Sequence, residues 1–174
     1  MHPLVSLAKL TVETYIEKRE VINIPKDVPK DFLTKKAGVF VTIKNNKQLR
    51  GCIGTYMSTK ENIAKEVIPN AIAAASQDYR FDSIRTEELP YLSYTVSVLS
   101  EPKQIKDISE LNPKKYGIII KTNEYFQKCG LLLPDLEGVE TVEKQVSIAC
   151  QKAGINPDNE RFLIYKFTVE KYED

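Results

Sequence analysis

Gly38-Val39-Phe40-Val41-Thr42-Ile43-Lys44, then Asn45-Asn46-Lys47, then Gln48-Leu49-Arg50-Gly51-Cys52-Ile53-Gly54-Thr55, is the run that decides the fold. Its first third is dense in β-branched and aromatic residues and reads as a strand. Asn45 to Lys47 supplies turn chemistry, so Gln48 to Thr55 returns as the second strand of a hairpin. An arginine, a cysteine and two glycines therefore share one strand or its end.

Working outward, Leu4, Ala8, Val12, Tyr15 and Ile16 are helically spaced over residues 4–19, and Pro25 and Pro29 mark an extended connection. Downstream, Ser58-Thr59-Lys60-Glu61 has the form of a capping box and predicts a helix start. Pro69 predicts a break into two helices, the second being the alanine-rich Asn70 to Ser76. A loop follows over residues 77–82. Leu92, Tyr94, Val96 and Val98 alternate with polar residues, the pattern of a half-buried strand. A helical turn is expected over residues 107–111, ended by Asn112-Pro113. Gly117 to Thr122 and Tyr125 to Leu133 read as a second hairpin across Asn123, followed by a loop from Pro134 to Gly138. Thr141 to Ala153 reads as a helix with Gly154 as its C-cap. Leu163, Tyr165, Phe167 and Val169 form a last strand. Hairpins separated by helices, without regular βαβ alternation, predict an α+β fold with a mainly antiparallel sheet flanked by helices. No internal repeat is legible.

The chain has 174 residues, enough for one domain spanning 1–174 with room for a small second lobe. Lys and Arg total 25 against 24 Asp and Glu, so the net charge of +1 favours neither nucleic acid nor an anionic membrane. Three dispersed cysteines (Cys52, Cys129, Cys150) and one histidine, His2, predict neither a zinc site nor a disulfide framework. No cofactor is expected. With no leader pattern or membrane-length apolar run, the chain reads as cytoplasmic, in keeping with reduced thiols.

On a strand, Arg50 and Cys52 would share a face, and a guanidinium near a thiol favours the thiolate. Gly51 and Gly54 clear space for a substrate or for another segment of backbone. Two readings stand: a reactive thiol, or a buried cysteine in a tight strand. Cys129 and Cys150 read as packing residues.

Leu49-Arg50-Gly51-Cys52-Ile53-Gly54 resembles the hallmark hexapeptide of the AMMECR domain family. Asn70 to Ile84 ("NAIAAASQDYRFDSI") resembles that family's alanine-rich helix and Asp-x-Arg-Phe loop, matched by Asp78, Arg80 and Phe81. Glu88 to Ile105 is similar to its central strand, and Gly130 to Ile155 to its C-terminal loop and helix. The last segment is closest to the prokaryotic branch called AmmeMemoRadiSam system protein A. Where the family often carries a basic residue before the GLLLP segment, this chain has Lys128 and then Cys129. The resemblance implies an α+β fold with a smaller subdomain packed alongside. It also implies a Memo-like protein and a radical SAM protein as partners, and it implies no particular reaction.

Two functions are compatible with these residues. In one, Cys52 is a nucleophile acting on an anionic small molecule, with Arg50 holding the thiolate and Asp78 and Arg80 contributing from their loop. A Cys-His dyad is all but excluded by the single histidine, so the base would be a carboxylate of raised pKa or water. In the other, the motif is a recognition surface for protein partners, with Tyr56, Met57 or Phe81 exposed beside it. Asp78 and Arg80 then form a structural ion pair. RNA binding has weak support at this charge.

Overall fold

The computed structural model describes residues 1–123 and 127–173. Its helices are α1 (Pro3–Lys18), α2 (Lys30–Thr34), α3 (Ile63–Ser76) and α4 (Val142–Ala153). The strands are β1 (Val39–Asn45), β2 (Gln48–Thr55), β3 (Leu92–Leu99), β4 (Lys103–Gln104), β5 (Gly117–Thr122), β6 (Cys129–Leu132), β7 (Phe162–Phe167) and β8 (Val169–Glu173). They form two compact units, one holding Met1–Leu99 and the chain from Glu170 onward, the other Ser100–Val169. Each unit carries a four-stranded sheet, in the orders β2-β1-β3-β8 and β4-β7-β5-β6. All described pairings are antiparallel, as the hairpin reading requires.

In the first unit the hairpin forms where expected, with Asn46 and Lys47 at positive φ in its turn. Val39, Val41 and Ile43 are fully buried on one face of the sheet, each worth roughly 1.5–3 kcal/mol relative to exposure. Leu4, Val5, Ala8 and Val12 of α1 and Ala64, Val67 and Ala71 of α3 complete this core.

Three sequence expectations fail here for identifiable reasons. The helix expected from Ser58 begins at Ile63, because Asn62 is the cap that accepts from the Lys65 N–H at 2.8 Å. Ser58 and Thr59 instead bind Glu66. Pro69 sits inside an unbroken helix. Proline removes its own N–H from the bond to the carbonyl four residues back. That carbonyl belongs to exposed Lys65, so solvent can satisfy it while Val67, Ile68 and Ala71 hold the helix on the sheet. The connection read as extended after Pro29 contains the short helix α2.

In the second unit α4 has the predicted C-cap, Gly154 at φ +66°, while Thr141, read as its first residue, is instead its N-cap and accepts from the Lys144 N–H at 3.2 Å. Ile118, Ile120, Leu132, Ala149 and Cys150 form its core. The second strand of the hairpin read from Tyr125 is observed only as β6. Tyr125 itself lies outside the described residues. Cys129, expected to pack, is exposed, whereas Cys150 is buried. The expected last strand is split at Thr168, with β7 and β8 in different sheets. There the Ser100 N–H donates to the Thr168 carbonyl and the Thr168 N–H to Ser100 Oγ, both at 2.9 Å.

The two units share a topology that no residue pattern disclosed. A hairpin, a helix and a third strand antiparallel to the hairpin's first strand recur as β1-β2-α3-β3 and β5-β6-α4-β7. In both, a glycine of the second strand meets a helix carbonyl. A Cβ on Gly51 would lie 2.0 Å from the Ala74 oxygen, and one on Gly130 would lie 2.3 Å from that of Ala149.

Candidate functional site

Ile43 pairs with Gly51 but Lys44 with Leu49, leaving Arg50 as the extra residue of a β-bulge. Bulges re-aim side chains, and this one delivers Arg50 to Glu88 in the 3-10 turn over Thr86–Tyr91. Arg50 Nε and Nη2 donate to the two Glu88 oxygens at 2.7 and 2.9 Å, and Nη1 donates to the Asp82 carbonyl at 2.7 Å. Asn45 Nδ2 and the Arg85 N–H complete the Glu88 shell. Chiefly because of Arg50, the Glu88 carboxyl is pulled down to about 2. The guanidinium expected to sustain a Cys52 thiolate is thus held in a forked ion pair elsewhere.

Cys52 is half-buried. Its Sγ lies 3.2 Å from Thr42 Oγ1, directly across the hairpin, and its N–H donates to Asp78 Oδ2 at 2.9 Å. Asp78, buried at the start of the loop after α3, also accepts from the Arg80 N–H, Nε and Nη2 at 3.2, 2.9 and 2.7 Å. These contacts, Arg80's side chain foremost, hold the Asp78 carboxyl well below the usual carboxylate range. Arg80 is held protonated more firmly, first by Asp78 and more weakly by the neighbouring Cys52. The cation linked to Cys52, through the shared Asp78 carboxylate, is therefore Arg80, not Arg50. The half-buried Phe81 ring lies beneath both guanidiniums, 5.9 Å from Arg50 and 5.5 Å from Arg80.

Arg50, Cys52, Asp78, Arg80 and Phe81 thus form one connected cluster. Gly51 and Gly54 belong to it as sites of close approach, but what approaches is the protein itself. Ala74 fills the space at Gly51, and at Gly54 a Cβ would lie 2.3 Å from the Phe40 ring. Tyr56 is half-buried, while Met57 is 56% exposed and Tyr79 95% exposed. Lys128 lies in the second unit, where its Nζ is 2.6 Å from Glu160 Oε2.

Sequence reasoning missed three participants. Thr42 was readable from the hairpin register, since it faces Cys52. Glu88 gave no local signal pointing to Arg50. Glu66, fully buried, accepts from Thr55 Oγ1 and Thr59 Oγ1 and from the Thr59 and Lys60 N–H groups, at 2.7–2.8 Å. Burial raises its pKa, but these hydrogen bonds outweigh burial and lower it.

A pH dependence follows. The folded-state pKa values of Asp78 and Glu88 lie below their ordinary values of 3.8 and 4.5, so they stabilise the fold above those values. That stability is lost as pH falls toward the Glu88 value of about 2. Urea midpoints should fall steadily from about pH 5 downward, and less steeply in Glu88→Gln. An identical acid slope in the variant would contradict the Arg50–Glu88 pairing.

Among the described residues, no helix is long and apolar enough to cross a membrane. The family model described as AMMECR1 matches residues 5–172. A Thermotoga maritima protein is 47% identical over 99% of this chain and 98% of its own length. A Clostridium acetobutylicum protein is 43% identical over 99% of this chain, but the match covers only 36% of that protein. The crystal structure of an uncharacterized protein, PH0010, from Pyrococcus horikoshii superposes with a TM-score of 0.89 at 33% identity, covering 98% of this chain and 89% of that one.

Proposed function

The chain belongs to the AMMECR1 family, and from that premise we propose that it is a binding or accessory module whose recognition surface is built around Cys52, serving a Memo-like protein and a radical SAM protein. The observation that carries this reading is the state of the nearest carboxylate. Asp78 is fully hydrogen-bonded and held ionised, so it is a poor proton acceptor for a cysteine nucleophile. The cluster has the character of a rigid surface, with forked ion pairs and a ring in contact with two guanidiniums. The Clostridium relative adds support, because most of its length lies outside the matched segment and the domain there is covalently joined to further polypeptide. Three free cysteines suit a cytoplasmic setting.

The second reading, Cys52 as nucleophile on an anionic small molecule, is favoured by Arg80, a part-exposed cation joined to the Cys52 backbone through Asp78. Thiol labelling across pH, with the Cys52 peptide followed by mass spectrometry, separates the two. Slow labelling that rises only in the ordinary thiol range supports the binding module, and fast labelling at neutral pH supports catalysis. Cys52→Ala should cost roughly 0.5–3 kcal/mol and melt cooperatively. Cys52→Ser should retain the contact with Thr42 and be no less stable than Cys52→Ala. Co-purification with the two partner proteins should survive Cys52→Ala if the thiol is only part of a surface. Its loss in a well-folded Cys52→Ala protein would favour a chemical role for the thiol.

A further inference from the structure

The outer edge of β2 carries a gap whose shape and charge select a kind of partner. β2 is the end strand of its sheet. The Leu99 N–H bonds to the Gly38 carbonyl, so the even-numbered residues of β1 turn their backbone groups toward β3 and the odd-numbered ones toward β2. Thr42 and Phe40 are the even-numbered partners of Cys52 and Gly54, so Cys52 and Gly54 direct their N–H and C=O groups outward. The bond from the Cys52 N–H to Asp78 is an independent sign of the same orientation. Asp78 blocks the edge at that one donor. The Cys52 carbonyl and the Gly54 N–H and carbonyl have no protein partner among the described residues.

Beside this gap stands Arg80, whose side chain is 43% exposed. Its Nε and one Nη2 hydrogen are engaged by Asp78, leaving the Nη1 pair unengaged among the described residues. Exposed Tyr79 precedes it in the loop, and exposed Met57 follows the end of β2. Aromatic residues, methionine and arginine are the types enriched at protein interfaces.

Resting on the binding-module reading, we propose that the partner is held as an added strand. A short extended peptide pairs with the Cys52 carbonyl and the Gly54 N–H and places a carboxylate on Arg80 Nη1. Backbone pairing of this kind gives affinity with little sequence demand, and the charge-assisted bond selects an acidic side chain or a C-terminus. The edge is guarded by Asp78 and by the Arg50 bulge, which leaves room for only a short pairing and disfavours extended edge-to-edge association.

The test uses the whole chain, ¹⁵N-labelled, with linear peptides selected from a displayed random library as the probe. The expected result is enrichment of peptides carrying Asp, Glu or a free C-terminus. A selected peptide should slow exchange of the Gly54 amide and bind Arg80→Ala at least about tenfold more weakly, the loss of one charge-assisted hydrogen bond. Arg80→Ala also strands Asp78, so Arg80→Lys is run alongside and should restore part of the affinity. Three results would overturn the proposal: selected peptides without acidic preference, binding that leaves Gly54 exchange unchanged, or a Gly54 amide already protected by self-association. If the Memo-like and radical SAM proteins bind while Gly54 stays unprotected, the module reading survives and only the strand-addition proposal fails.

Discussion

Gly51→Val is expected to abolish the folded state of the first unit. A Cβ at this position would lie 2.0 Å from the Ala74 carbonyl oxygen and 3.0 Å from its carbon. Both are backbone atoms, in the last turn of α3 where it rests on β2, so no rotamer change relieves the contact. Overpacking a core typically costs about 1–3 kcal/mol when side chains can shift. Here a helix must move off a sheet, and the loss should exceed about 4 kcal/mol, close to the whole stability of a marginal domain. Far-UV circular dichroism and urea melting check it. Gly138→Ala is the control: φ is +76° with nothing near the added methyl, so it should cost only about 1 kcal/mol. A Gly51→Val protein that melts like the parent would mean that α3 does not rest on β2 at Gly51.

The second large effect is expected at Glu66→Leu. The buried carboxylate accepts from two backbone N–H groups and two threonine hydroxyls, and leucine leaves all of them without an acceptor. Each donor stranded away from water costs about 1–3 kcal/mol; solvent reaches exposed Thr59 and Lys60, so with half of the four donors rescued the variant should lose roughly 2–6 kcal/mol. Residues 56–60 should become susceptible to proteolysis first, because Glu66 is what ties them to α3. Glu66→Gln should fall in between, since its carbonyl oxygen keeps some of these bonds while its amide faces donors. A denaturant series on the parent and the two variants reads the order directly. A Glu66→Leu protein as stable as the parent would contradict the network.

Sequence and structure part along a physical line. Features set by neighbours in the chain were legible: the Asn45–Lys47 turn, the Gly154 C-cap of α4, and β3 as a strand, although its alternation breaks where Ser97 is buried and Val98 only half-buried. Features set by distant residues were not. Ser58 and Thr59 carry the signature of a helix start, yet Glu66 on the next helix claims their donors. Pro69 opposes a helix locally, and tertiary burial of its neighbours overrides it. The candidate site followed the same rule. The contact between the motif strand and the Asp78 loop was anticipated from two matched segments, and the Cys52 N–H bond joins them. The assignment of Arg50 to the thiol failed because it assumed regular alternation, which the bulge interrupts. Glu88 could not have been found, since it is far from Arg50 in sequence and meets it only through the fold.

The return of β8 to the first sheet bears on how a cell must make this protein. β1, β2 and β3 leave the ribosome early, but the strand that completes their sheet is translated only after the whole of the second unit. During elongation β3 therefore waits with an open edge, and at translation rates of roughly 5–20 residues per second the wait lasts several seconds. Pairing with a stray strand is the hazard of such an interval. β7, an internal strand of the second sheet, is itself made only just before β8, so both sheets are completed together at the end of synthesis. A chaperone that shields β3 until then would raise the yield of native protein more than one that acts after release.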